Sequence, residues 1–356
     1  MRILLISNMY PSRKHKTFGV FVQNVEKILL NDGNDVIKAV IRGQGTSFVQ
    51  KIYKYILFYL SITYNFFFVK YDLIYVHYIN SSFVPLSLFS FLKKPKRLII
   101  NFHGGDLVPL SRYENFVMPL TKFVVRKSVG FVVPSEYFSE LLQSYHGVSK
   151  SKICVYPSGG IDTNSFYKFS GSRAEVITIG FVSRVARGKG WDTFIKFLRI
   201  LKDRGISFKA KIAGNGPDMP KLLSMIDFQG FGDSVEVLGE VSHKDLPGLF
   251  NSFHVFVFPT KLSESLGLVG LEAMACGVPV IGSNIGGIKS YIIDEYNGYL
   301  FTPGDEQELF YKFEKYIALS QIERDGMEEA GIQTAIGYDS KTTSVYLTNF
   351  FRQLLD

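Results

Sequence analysis

Two cysteines in 356 residues, Cys154 and Cys276, each inside an apolar run, leave no disulfide framework and no paired spacing for zinc. That scarcity argues against a stapled secreted scaffold and for a reduced cytosolic setting. No apolar run is long enough to cross a bilayer. The best candidate, Tyr55 to Val69, ends after about 15 residues between Lys54 and Lys70, where roughly 20 are needed. Met1-Arg-Ile-Leu-Leu-Ile-Ser has a short apolar core without a small-residue cleavage site, so a first buried strand is expected rather than a leader. Internal repeats and low-complexity tracts are missing too.

What is present is a 46% hydrophobic fraction with 32 Phe and 20 Tyr, which fills a globule well and argues against disorder. The length exceeds what one compact core usually spans, so two domains are expected. A net charge of +8 calls for an anionic partner, whether nucleic acid, anionic lipid or a phosphorylated substrate.

Short apolar runs recur with room for a helix between most of them. In the first half these are Ile3 to Ser7, Val36 to Val40, Leu73 to Val76, Arg97 to Asn101 and Gly130 to Val133, with a helix from about Phe21 to Asn31 closed by Gly33. The pattern restarts at Val176 to Val182. It continues through a helix at Asp192 to Lys202 and strands at Lys209 to Ile212 and Val235 to Leu238, and a last helix is expected over Ser340 to Leu355. Such alternation predicts an α/β protein with doubly wound parallel sheets.

The stretch from His254 to Ser283 concentrates the chemistry. It reads as a strand (Val255 to Phe258), a loop (Pro259 to Ser265), a helix (Leu266 to Ala275) and a second strand opening at Gly277. Glu264 falls in the loop and Glu272 in the helix. The Gly267 and Leu268 amides between them belong to the first helical turn, where N–H groups lack partners and the dipole is positive, so they suit a diphosphate. A carboxylate beside a phosphate would repel it. Both glutamates are therefore expected to accept from neutral hydroxyls, and a sugar nucleotide offers hexose and ribose hydroxyls.

Other strand ends carry further candidates. Arg184 and Lys189 flank a tight Gly-containing loop and suit two oxygens of one diphosphate, the Arg as a fork and the Lys as a point charge. Ala213-Gly214-Asn-Gly is either a nucleotide-facing turn or a plain one. Phe18-Gly19 precedes the first helix, where Gly permits a close ligand approach. His103-Gly-Gly-Asp106 leaves an imidazole and a carboxylate in a strand-end loop. Ser135 either lines an acceptor or caps the next helix. Ile285-Gly-Gly-Ile288 forms a glycine turn facing the same side, and Asp294 to Gly298 reads as a surface turn.

These residues resemble the E-x7-E signature of retaining GT-B glycosyltransferases, especially glycosyltransferase family 4, through Glu264, Glu272 and the run Glu-Ala-Met-Ala-Cys-Gly-Val-Pro-Val. Arg184-x4-Lys189-Gly is similar to the family's phosphate motif, and His103-Gly-Gly-Asp106 to its His-Gly-x-Asp. Val155-Tyr-Pro-Ser-Gly-Gly-Ile-Asp162 resembles the turn before the second domain, with Ser158 where Asn is usual, and the loop at Gly19 shows one glycine where many relatives show two. The resemblance implies a GT-B fold, with two Rossmann-like domains facing a central cleft: an acceptor domain over 1–165, a donor domain over 166–338, and a helix over 339–356 crossing back to the first.

It further implies His103, Glu264, Arg184 and Lys189 as catalytic residues, and Gly19, Gly267, Leu268, Glu272, Gly214 and Val241 at the donor. Asp106 and Ser135 would face the acceptor. The activity would be retaining transfer of a hexose from a nucleotide diphosphate sugar (UDP- or GDP-linked) to a glycan or polyprenyl-linked oligosaccharide, in surface polysaccharide or O-antigen assembly. No Asp-x-Asp pair occurs in the chain, so no metal and no cofactor are expected.

The aromatic and basic segments Lys51 to Lys70 and Leu86 to Arg97 suit either helices packed on the sheet or peripheral contact with anionic lipid on the inner face of the plasma membrane. A sugar-nucleotide epimerase would need more acid/base groups than His103. A non-catalytic glycan binder would be expected to lose one of the four motif residues. A nucleic-acid binder would need a continuous basic stripe, whereas the notable cations sit singly at strand ends.

Overall fold

The structure, a computed structural model, describes all residues except 93–96, 110, 172 and 355–356, and leaves the side chains of 90–92 undescribed. The basic run after residue 92 and the end of the last helix at Leu355 thus fall, wholly or in part, outside the described residues. Two compact units emerge: residues 1–159 with 341–356, and residues 160–340. Residues 160–165 group with the second unit, not the first as the sequence suggested. There Ile161 pairs with Asp339, and Ile161 exchanges backbone bonds with Tyr338 and Ser340.

The first unit alternates β1 (Arg2–Tyr10), α1 (Val20–Asn31), β2 (Asp35–Arg42), α2 (Phe48–Phe68), β3 (Leu73–His77), α3 (Phe83–Leu92), β4 (Leu98–Asn101), α4 (Arg112–Lys127), β5 (Gly130–Val133), α5 (Glu136–His146) and β6 (Ile153–Val155). The strands form one parallel sheet in the order β2-β1-β3-β4-β5-β6. Strands β3, β4 and β5 are buried throughout, as helices on both faces of a parallel sheet require. β1 runs past the expected Ser7 to Tyr10 by shifting register after Ser7.

The second unit contains β7 (Thr178–Val182), α6 (Trp191–Asp203), β8 (Lys209–Ala213), α7 (Met219–Gln229), β9 (Val235–Gly239), α8 (Leu246–Asn251), β10 (Val255–Phe258), α9 (Leu268–Ala275), β11 (Val280–Ser283), β12 (Gly298–Phe301), α10 (Glu306–Ala318) and α11 (Gln321–Ile336). α12 (Ser340–Gln353) follows it and belongs to the first unit, where Leu347, Phe350 and Phe351 join Ile3, Leu5, Tyr75 and Val132 in one core. β7 starts two residues later than expected, because Val176 is exposed. The second sheet runs β12-β11-β10-β7-β8-β9. β6, three residues long, and β12, which opens at the glycine ending the expected surface turn, are not among the strands the sequence suggested.

Strand order fixes where ligands meet each sheet. The chain leaves β7 towards β8 and β9, then returns to add β10, β11 and β12 on the other side. A crevice therefore opens at the carboxyl ends of β7 and β10, and in the first unit at those of β1 and β3.

Candidate functional site

In the second unit this crevice collects three sequence candidates and a helix start. Arg184 and Lys189 follow β7, Glu264 follows β10, and α9 starts just beyond. Lys189 Nζ lies 2.7 Å from Glu264 Oε1, across 75 residues of sequence. Both side chains are partly buried, so each charge depends on the other more than a surface pair would. The Thr260 hydroxyl also donates to Glu264 Oε1, at 3.0 Å. Arg184 is exposed and has no ion-pair partner among the described residues.

The loops that carry these groups interlock through glycine. A Cβ on Gly190 would lie 1.8 Å from the Pro259 carbonyl oxygen, one on Gly214 1.9 Å from that of Ser183, and one on Gly216 2.2 Å from that of Val185. Gly190 and Gly214 also hold positive φ. Backbone bonds from Lys261 N to Gly188 O (2.7 Å), Val185 N to Asn215 O and Gly214 N to Gly239 O tie the same loops together. The glycine at 214 thus serves loop-to-loop packing. The turn at Gly286-Gly287 plays a similar part beneath Glu264: Gly287 N donates to Glu264 O at 2.8 Å, and a Cβ on Gly286 would strike the Glu264 backbone.

α9 begins at Leu268. Gly267 is its cap, with φ of 83°, and is not part of the first turn as the sequence suggested. A larger residue there would meet the Phe258 ring at 2.7 Å. The Leu268 and Val269 amides are among those left open at the positive end of the helix. Glu272 lies on the same helix, buried, with Oε1 3.2 Å from His243 Nε2. That carboxylate raises the His243 pKa above its usual value against the opposing effect of burial. Val241 is half-buried in the stretch between β9 and α8 that also carries His243.

The first unit gathers uncharged groups instead. His103, after β4, places Nε2 2.9 Å from Nδ1 of His77, the last residue of β3, and Phe21 of α1 packs on its ring at 4.7 Å. Burial lowers the His103 pKa to about 3 and holds His77 well below its usual value, so both rings are neutral. His77 Nε2 is buried without a partner among the described residues. An orphaned N–H is the costlier defect, which favours a proton on His77 Nδ1 and leaves His103 with its Nδ1–H as the free donor.

Asp106, expected at an acceptor, is fully buried and accepts the His103 and Gly104 amides on Oδ1, both at 2.9 Å. Its position shapes the loop. Burial raises its pKa to about 7 against those two hydrogen bonds, and Oδ2 has no partner among the described residues. Gly105 has no room for a side chain, because Glu114 Oε1 and the Tyr78 hydroxyl, themselves 2.6 Å apart, fill that space. Ser135, also expected at an acceptor, is buried as the cap of α5 and accepts from the Phe138 amide. Gly19 has φ of 74° and packs against the β1 backbone, with Met9 C 2.5 Å from a built Cβ, so its small size serves the chain itself before any ligand. A cavity of about 610 Å³ beside it is lined by Arg13, Lys14, Lys16 and the start of α1.

Sequence reasoning missed His77, Thr260, His243 and this basic loop. His77 had one signal: a polar residue ending an apolar strand at the carboxyl edge of a sheet.

The model for glycosyl transferases group 1 matches residues 163–334, and that for glycosyltransferase family 4 matches residues 20–165. A D-inositol 3-phosphate glycosyltransferase of Paenarthrobacter aurescens is 31% identical over 253 residues, 65% of this chain and 60% of that protein. The match thus spans less than two thirds of that relative's length. Among solved structures, the sucrose-phosphate synthase of Thermosynechococcus elongatus has a TM-score of 0.80 at 18% identity, each chain covered to 99%. HepE of Anabaena, in complex with UDP, has a TM-score of 0.76 at 19% identity, covering 99% of this chain and all of that one. Two parallel six-stranded units and the two family matches, which together run from residue 20 to 334, agree: the chain belongs to the group 1, family 4 type of GT-B glycosyltransferases.

Proposed function

We propose that the chain transfers a hexose, with retention, from a nucleotide diphosphate sugar to a glycan or lipid-linked glycan acceptor. The observation that carries this is the Lys189–Glu264 pair at the crevice of the second sheet, where α9 starts with open amides and Arg184 follows β7 with no ion-pair partner among the described residues. A diphosphate entering there meets Arg184, Lys189 and the α9 amides, which stabilise the negative charge that grows as the sugar bond breaks. Glu264, released from Lys189 in part, takes sugar hydroxyls, and Glu272 takes the ribose with His243 alongside. A UDP complex of a structural neighbour supports a nucleotide donor of this kind.

In the first unit, His103 stays neutral and its Nδ1–H suits a neutral hydroxyl acceptor. Glu264 is held to Lys189 and Thr260 and has no role as a nucleophile here. We adopt a front-face route in which the departing phosphate takes the acceptor proton. A covalent sugar trapped on Glu264 would refute it. The charge on the diphosphate is met by cations and amides, so transfer is proposed to need no metal, and a role in surface polysaccharide assembly at the cytoplasmic membrane follows the family resemblance.

Calorimetric titration of UDP, GDP and ADP into the full chain with EDTA tests the donor site. One nucleotide should bind, and Lys189→Ala and Arg184→Ala should each weaken it by about tenfold or more. Equal binding by wild type and both variants would refute this placement of the diphosphate.

A further inference from the structure

The helix α2 inverts the usual surface pattern. Its inner face is apolar, with Phe58, Ile62 and Phe66 buried. Its outer face is apolar as well: Val49, Tyr53, Ile56, Leu60, Tyr64 and Phe68 follow one another at spacings of three or four residues and are all exposed, from 53% at Ile56 to 76% at Phe68. At 1.5 Å per residue this stripe is roughly 28 Å long. The neighbouring helices repeat it. Val84 and Leu88 of α3 are exposed, as are Tyr113, Phe116 and Leu120 of α4. Half of the exposed large apolar side chains among the described residues lie on these three helices. Soluble surfaces rarely leave so much uncovered.

Charge chooses the occupant. α2 contains Lys51 and Lys54 and no acidic residue, and α3 contains no charged residue. α4 carries Arg112, Lys122, Arg126 and Lys127 against one acid, Glu114, which is turned to Tyr78 and Ser111. A second copy of this chain would set these basic helices against themselves across a two-fold axis. An anionic bilayer neutralises it, and tyrosine and phenylalanine suit the headgroup boundary. Among the described residues no helix is long and apolar enough to cross a membrane, so α2 would lie in the interface.

We propose that the outer faces of α2, α3 and α4 form one docking surface for an anionic lipid bilayer. The surface sits beside the strand ends of the first unit. Lys54 donates to the carbonyls of Arg42, Gly43 and Gln44, and a pocket of about 390 Å³ opens between α2 and Phe18. An acceptor carried by lipid would thus arrive in the plane of the membrane. The surface itself does not rest on the transfer reading.

The test is vesicle flotation of the full chain, with no donor present, using phosphatidylcholine alone or mixed with phosphatidylglycerol. The chain should float with the anionic vesicles and weaken as salt rises. Leu60→Glu with Tyr64→Glu should reduce binding about tenfold or more without lowering the unfolding temperature, since neither side chain supports the core. Phe228→Glu, at a still more exposed site on α7, should leave binding intact. Failure of the wild type to float, or equal flotation by the double variant, would overturn the proposal. So would a dimer seen by light scattering that the double variant splits, since that would assign the face to a second copy.

Discussion

The two units share one plan and differ in the charge they hold at their strand ends. In the second unit the crevice carries charged groups, Lys189 against Glu264 and Glu272 beside a His243 ring whose pKa it raises, and Arg184 is exposed after β7. In the first unit His77, His103 and Asp106 are all pushed by burial towards their uncharged forms. Topology thus decides where a site opens, and solvation decides the charge that its buried groups hold there.

The largest effect should come from the charged side. Glu264→Gln keeps the shape, removes the anion facing Lys189 and should lower kcat/KM for transfer by about 10²–10³-fold, read by nucleoside diphosphate release. If His103→Ala cost more than this, the assignment of the heavier electrostatic work to the second unit would break.

Glycine packing sharpens the contrast between loops. Gly190→Ala drives a methyl into the Pro259 carbonyl at a positive φ and should destabilise the chain by roughly 3 kcal/mol in urea titrations. Gly33→Ala shares the positive φ but meets nothing within 4 Å, and should cost only about 1 kcal/mol.

Acidity separates the units in another way. Asp106, raised from 3.8 to about 7, stays protonated in the fold while the unfolded chain ionises. Its stabilising contribution is full below 3.8 and is lost as the pH rises towards 7. His103, lowered from 6.5 to about 3, acts oppositely, contributing above 6.5 and losing that contribution as the pH falls. His77 has the same sign. Asp106→Asn removes only the first effect, so its stability should fall more steeply than wild type between about pH 6.5 and 4, as urea midpoints would show. A parallel profile would mean that Asp106 is ionised in the fold. The smallest expected effect is at His243, whose ring is mostly exposed: His243→Ala should change donor KM by only about two- to threefold.

Much of this was legible in the chain, and the physical reason differs by residue. Arg184, Lys189, Glu264 and Glu272 each follow a recognisable strand or sit in the helix after one, so their placement at a carboxyl edge could be read from local pattern. His77 and His243 find their partners 26 and 29 residues away, which no local spacing records, while Thr260 reaches Glu264 within its own loop, four residues on. Asp106 misled because a carboxylate after two glycines reads as open loop, while the structure spends it on two amides. Gly267 was placed one step too far into its helix, since a glycine cap and a first-turn glycine look alike in sequence. The aromatic run in α2 left packing and lipid contact both open; the structure packs Phe58, Ile62 and Phe66 inward and leaves a second apolar stripe exposed.

The most direct test is donor turnover across a panel of UDP-, GDP- and ADP-sugars with EDTA present, comparing wild type with Glu264→Ala and adding a lipid-linked glycan acceptor. The account predicts release of one nucleoside diphosphate that survives chelation, disappears in the variant and yields a product with the donor's anomeric configuration. Turnover that stops with EDTA, or that persists undiminished in Glu264→Ala, would contradict it.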